Sequence, residues 1–231
     1  MKEKISKKIY SKYSFDLIRH KMILLGENDI NRTINFLNLR LITSIIIFFM
    51  IIYFSDWGYI LGPIVVFLYY MFLPRFTLDI KINKRRRKLE YEALYYFEIL
   101  SLSLESGNNL YNAITITCNN INSELSSEFQ KMMMDVNYGK SFSEAIFSMK
   151  ERIPSDIINN ILLNIREANM FGNNIIGTLN NQLDYLRESK ILETKAYISK
   201  IPLKISVISV MFFLPLLLLL ILGPVLINYL S

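Results

Sequence analysis

From Ile205 to Ile227 the chain carries no charged side chain. A helix of that length crosses the roughly 30 Å hydrocarbon core of a bilayer with tilt to spare. Pro215 and the pair Gly223-Pro224 are expected to kink this segment or end it early, which neighbouring helices accommodate. Two shorter apolar segments, Leu41 to Phe54 and Tyr59 to Leu73, are separated by Ser-Asp-Trp-Gly. Each falls short of the ~20 residues a span requires. Leu37, Leu39, Trp57 and the flanking basic residues bring both close to that length, with Arg40 and Arg75 expected to snorkel to water. A tight transmembrane hairpin follows, with Tyr53, Trp57 and Tyr59 in one interfacial belt and Tyr69 and Tyr70 in the other. A buried hairpin in a soluble protein is the other reading.

Charge is segregated from these segments. The chain is 52% hydrophobic and 20% charged, with a positive mean hydropathy, which together describe a membrane protein with a sizeable aqueous part. The net charge of +6 is concentrated in two places. Residues 1–39 form a basic segment in which Ile5, Ile9, Tyr13 and Leu17 recur at helical spacing, giving either a helix lying on an anionic membrane surface or a mobile tail. No apolar run follows the early lysines ahead of Ile30, so a cleavable signal peptide is not expected. The second concentration is Lys84-Arg85-Arg86-Arg87-Lys88, immediately after the hairpin. Under the positive-inside rule both basic regions lie in the cytoplasm and the Ser55 to Gly58 turn lies outside. The basic run is therefore assigned to the membrane surface and anionic lipid, and nucleic-acid binding is not expected.

Between the hairpin and the last span, one pattern recurs at a near-constant interval. Gly107-Asn-Asn-Leu110-Tyr-Asn-Ala113-Ile114 is followed by Gly139-Lys-Ser-Phe142-Ser-Glu-Ala145-Ile146 and, more weakly, by Gly172-Asn-Asn-Ile175-Ile-Gly-Thr178-Leu179. A period of about 33 residues marks stacked helix pairs. Each glycine is expected to end a helix in the left-handed conformation that a Cβ disfavours, and Ala113 and Ala145 to let a neighbouring helix approach. Phosphate-binding glycine loops follow strands, whereas these glycines follow helical periodicity. Expected helices run from about Leu89 to Gly107, then 110–120, 122–137, 142–150, 155–171 and 174–200, with Pro202 closing the last. Met132, Met133, Met134, Met149 and Met170 read as core filler.

One cysteine, Cys118, and one histidine, His20, leave no material for a disulfide, a Cys/His metal site or a His-based triad. No Asp, Glu, His or Lys lies within the apolar segments to activate the hydroxyls of Thr43, Ser44, Ser206 or Ser209. No catalytic, cofactor or metal site is therefore expected. The fold class is all-α, with about three transmembrane helices and a cytoplasmic helical domain. The divisions are a basic N-terminal segment (1–39), a hairpin (40–74), the helical domain (75–203) and a C-terminal span (204–231).

From Ala93 onward the chain resembles the F domain of type II secretion systems. That domain belongs to the inner-membrane platform protein of secretion, type IV pilus and Tad-type pilus machines. The likeness rests on Ser106-Gly107, Leu110-x-x-Ala113-Ile114, Gly139-x-Ser-Phe-x-Glu-Ala-Ile146, and Gly172 leading to Leu179, Leu183 and Leu186-Arg187. Ile201-Pro-Leu-Lys204, Phe212-Phe-Leu-Pro215 and Gly223-Pro224 complete it, and the single-domain Tad subunits resemble it most. The resemblance implies a six-helix bundle and a non-enzymatic platform in the inner membrane. Its implied partners are a cytoplasmic assembly ATPase, pilin subunits, and a homodimer or paralogous second platform subunit, since two-domain relatives carry the unit twice. Lys200, Ile201 and Pro202, which join the last domain helix to the last span, are the expected transmission junction. A membrane-tethered helical scaffold for an unrelated partner is the alternative.

Overall fold

The computed structural model describes residues 12–27, 29–54, 58–171 and 174–230. Every regular element among them is helical: α1 (Lys12–Leu24), α2 (Ile30–Phe54), α3 (Gly58–Pro74), a π-helical turn (Arg75–Asp79), α4 (Ile80–Glu105), α5 (Leu110–Asn120), α6 (Glu124–Asn137), α7 (Phe142–Arg152), α8 (Asp156–Phe171), α9 (Ile175–Ser199) and α10 (Ile201–Leu230). Contacts divide the chain into two units, residues 1–182 and 183–231.

In the first unit, α2 and α3 pack along their length as a hairpin, joined by hydrogen bonding of the Tyr69 hydroxyl to Thr43 Oγ1 at 3.0 Å. Their outward faces, among them Phe49, Met50, Phe67 and Phe72, are exposed, as suits helices solvated by lipid rather than water. Arg40 does not snorkel. It is buried over the Tyr70 ring, 3.4 Å from the centroid, and its Nη2 donates to the Tyr70 carbonyl. The cause is local: Pro74 has no N–H, so the Tyr70 carbonyl four residues earlier loses its helical donor, and the arginine replaces it.

No loop separates the hairpin from the helical domain. The chain passes from α3 through the π-helical turn into α4, so the basic run lies in a helix. Helices α4 to α8 pack as neighbours around Leu89, Ala93, Tyr96, Phe97, Leu100, Ile114, Leu125, Phe129, Met132, Ile146, Ile161 and Leu162. Tyr96 stacks on Phe129 with centroids 4.5 Å apart, and Phe97 meets both rings edge-on. Met132 and Met149 fill this core, but Met134 and Met170 are exposed, because helical spacing turns them to the outer faces of α6 and α8.

The described part of the N-terminal segment is a helix with one face against protein. Phe15, Ile18 and Met22 of α1 are buried with Leu37 of α2 and Leu78 of the π turn, while Leu17, a member of the expected stripe, is exposed. Ile5 and Ile9 lie outside the described residues. Helix α1 thus carries a second apolar stripe, Phe15, Ile18 and Met22, and this one is covered by protein. Within the second unit, the remainder of α9 leads to α10, whose apolar side chains from Leu203 through Leu222 are largely exposed. Three helical stretches, Ile30–Phe54, Gly62–Glu105 and Ile175–Leu222, contain windows long and apolar enough to cross a membrane.

Candidate functional site: helix stops and an ion-pair knot

The repeat is visible in backbone geometry. Gly107 and Gly139 have φ of 89° and 97°, the left-handed region where a Cβ is costly. At Gly139 the helix ends in a Schellman motif: Gly139 N donates to Val136 O at 2.9 Å and Lys140 N to Asp135 O at 3.1 Å. At Gly107 the first bond is kept, Gly107 N to Leu104 O at 2.9 Å, and the second is supplied by the Asn108 side chain, which donates to Ser103 O at 3.0 Å. Two residues beyond each stop sits an N-cap. Asn109 accepts from Asn112 N at 2.8 Å, and Ser141 forms a reciprocal capping box with Glu144. Gly172 lies outside the described residues, yet its repeat keeps the same cap, since Asn174 Oδ1 accepts from Gly177 N at 3.0 Å. Ala113 and Ala145, four residues after each cap, are fully buried. The motifs at Gly107 and Gly139 are therefore each one device: stop, cap, anchor, then a small residue at a helix contact.

The basic run divides by helical face. Lys84, Arg86, Arg87 and Lys88 are exposed, but Arg85 points inward, away from them. Its Nε donates to Glu124 Oε1 at 2.6 Å and its Nη2 to Glu128 Oε1 at 3.1 Å. Its Nη1 donates to two carbonyls, Leu24 O at 2.6 Å and Arg152 O at 2.7 Å. Leu24 and Arg152 are the last residues of α1 and α7, so those oxygens lack helical donors and carry the negative end of each helix dipole. One guanidinium on α4 thus ties α1, α6 and α7. Gly26, at φ 78°, lies against it, and a Cβ there would meet Arg85 Nη2 at 3.0 Å.

Glu128 balances the knot. It is 1% exposed and also accepts from Arg152 Nε at 2.7 Å and Lys131 Nζ at 2.9 Å. Burial pushes its carboxyl up, but the hydrogen bonds and charges of Arg152 and Lys131 outweigh burial and hold it below its ordinary value. Glu124 follows the same pattern, burial being outweighed by Arg85 and Lys88. Lys88, 3.0 Å from Glu124, is in turn raised by that hydrogen bond. Burial raises the Cys118 thiol, which sits 3.3 Å from the Tyr96 hydroxyl in the core and stays protonated at neutral pH.

Helical phase was the signal available for Arg85. Continuing the buried face of α4 backward from Leu89 by one turn lands on Arg85, and two turns further back on Leu78, which is also buried. The expected junction is a tightening rather than a gap. Pro202 removes the helical donor for Ile198 O, Lys200 N bonds Tyr197 O at 3.2 Å, and Lys204 N resumes the α pattern on Lys200 O at 3.3 Å. Among the described residues, no group of three or more His, Cys, Asp or Glu side chains could hold a metal.

No curated protein and no solved structure matches the chain. Residues 96–223, more than half of the chain, match the family described as Type II secretion system (T2SS), protein F. This stretch begins at the buried Tyr96, takes in all three repeats of the glycine pattern, and extends into the last apolar helix. An all-α membrane protein with capped, glycine-terminated helices, the chain belongs to the T2SS protein F family.

Proposed function

We propose that this protein is a non-enzymatic inner-membrane platform subunit of a Tad-like pilus or type II secretion assembly machine. It couples a cytoplasmic assembly ATPase to pilin polymerisation. Residues 75–203 form the cytoplasmic domain, the hairpin returns to the cytoplasm, and α10 leaves the C-terminus outside. A homodimer or a paralogous subunit completes the platform. The observation that carries this reading, beyond family membership, is the unbroken passage from α3 through the π turn into α4. Helix α4 is held to α1, α6 and α7 by Arg85. Displacing such a domain displaces the span joined to it, which is what a coupling subunit without catalytic groups requires.

Photocrosslinking in the native membrane tests this. A photoreactive residue at exposed Tyr138 of the domain should capture an assembly ATPase, and one at exposed Phe212 of α10 should capture pilin. Recovery of neither partner, with some other protein captured in their place, would transfer the chain to a scaffold role.

A further inference from the structure

Arg40 is 5% exposed and carries a charge that no carboxylate among the described residues neutralises. Its Nη2 is occupied by the Tyr70 carbonyl and its face by the Tyr70 ring, while its Nε is buried without a partner. An arginine confined in this way lacks an anion, since a neutral carbonyl and a ring recover only part of the hydration it has lost. It lines a groove of about 510 Å³ between α1, α2 and α3. Arg75 stands at the same groove, exposed and without a partner among the described residues. Lys21, also at the groove, is already paired with Asp79 at 2.5 Å and adds only its field. The rest of the lining that matters is apolar and exposed: Leu17, Phe67 and Met71.

We propose that this groove binds one anionic phospholipid, with the phosphate at Arg40 and Arg75 and an acyl chain along Leu17, Phe67 and Met71. Two features select a lipid over a soluble phosphate. A small anion would satisfy the arginines and leave the apolar wall uncovered, whereas one lipid molecule covers both. Arg40 also stands one residue before the apolar run Leu41 to Phe54, which puts it at headgroup level if α2 and α3 cross the bilayer; the proposal rests on that reading. The bound lipid would join α1 to the base of the hairpin and supply the counter-charge that the chain does not.

The test uses the full chain in neutral detergent, titrated with dioleoyl-phosphatidylglycerol or dioleoyl-phosphatidylcholine and read by native mass spectrometry. One phosphatidylglycerol should be retained ~10-fold or more tightly than phosphatidylcholine, the scale of one hydrogen bond to a charged group. Arg40→Gln should abolish that preference. Because Arg40 also caps Tyr70, Arg75→Gln is the companion variant: it leaves that contact intact and should weaken phosphatidylglycerol by a similar factor. Lys195→Gln, an equal charge loss on α9, should change nothing. Equal retention of both lipids, or undiminished phosphatidylglycerol binding in Arg75→Gln, would overturn the site. Displacement by millimolar inorganic phosphate would reassign it to a soluble anion. Alkaline carbonate extraction of the native membrane separates the two levels: release of the protein would refute the spans themselves, whereas retention with no lipid preference would refute only the groove.

Discussion

Replacing Glu128 by Ala leaves Arg85 with Glu124 and two carbonyls, but strips Arg152 of its carboxylate partner. Arg152 Nη2 is already buried without a partner, so the second arginine is left with only the neutral Ser148 carbonyl, to which its Nη1 donates at 3.0 Å. Breaking one side of a buried ion pair costs about 3–5 kcal/mol, mostly as the uncompensated charge left behind. At ~4–8 °C per kcal/mol for a domain of about 100 residues, the lower bound corresponds to a fall of roughly 12–24 °C in the transition. Cys118, the single cysteine, provides the assay, because its thiol is buried beside Tyr96 and reacts with a fluorogenic maleimide only when the core opens. Full-length Glu128→Ala should label at markedly lower temperature than wild type, and the Glu128→Met/Arg152→Met double variant should recover part of the loss. Glu128 also sets an acid limit. Its folded pKa lies below the unfolded value near ~4.3, so its contribution is complete above that value and is lost as pH falls through the lower, folded one. Near-UV dichroism of the aromatic core should show acid loosening in wild type that is flattened in Glu128→Gln. A Glu128→Ala transition within a degree or two of wild type would refute this account of the knot.

Gly139→Val should cost more than the roughly 1 kcal/mol of a generic helix-propensity change, and Gly139→Ala nearly as much, because open space around the position leaves backbone strain as the whole penalty. Unchanged maleimide-detected transitions for both would show that the left-handed stop is dispensable. Phe15→Ala removes a fully buried ring and should cost about 3–5 kcal/mol of α1 docking, seen as faster amide exchange in α1 with Cys118 still protected; unchanged exchange would mean α1 is held by Arg85 alone. A reporter fused after Ser231 should read outside and one inserted at exposed Asn120 inside, and finding both on the same side would refute the proposed topology.

The helix stops were legible in the sequence because their determinants are local. A glycine, a cap two residues on and an alanine four beyond the cap act within a few turns, and the first two motifs repeat them at fixed spacing, while the third has Thr178 in the alanine's place. Helices α5 to α9 accordingly fall within about two residues of their expected bounds. What escaped was long-range. Five successive cations look alike in a charge run, and only the phase set by Leu89 singles out Arg85; its partners Glu124 and Glu128 lie 39 and 43 residues away. The protein-covered face of α1 was hidden for a related reason. Periodicity shows that an apolar stripe exists but not whether lipid or protein covers it, and Leu37 and Leu78, which settle the matter, belong to other elements. Arg40 joins them, since snorkelling is the default for an arginine at a span end, and here Pro74 at the far end of the facing helix strands a carbonyl for it instead.

The proposed coupling would have two helical connections available to it, and they differ in geometry. At Lys200 to Pro202 the missing proline donor tightens one turn and leaves Ile198 O without its helical bond, a place where the rod can bend. Between α3 and α4 the π turn leaves no residue outside a helix, Thr77 Oγ1 caps Leu73 O at 2.8 Å, and Leu78 is buried with α1. If α9 and α10 carry the stroke, a Gly-Ser insertion between Lys200 and Ile201 should abolish filament assembly while the protein stays at normal level and bound to its ATPase, because a flexible linker passes tension only after its slack is taken up. The same insertion after Asp79 should then be milder in assembly, although more damaging to the fold through Leu78 and the Lys21–Asp79 pair. Normal assembly with the Lys200 insertion, together with failure of the Asp79 insertion at normal protein level, would move the transmission path to the π turn and make the Arg85 knot its anchor.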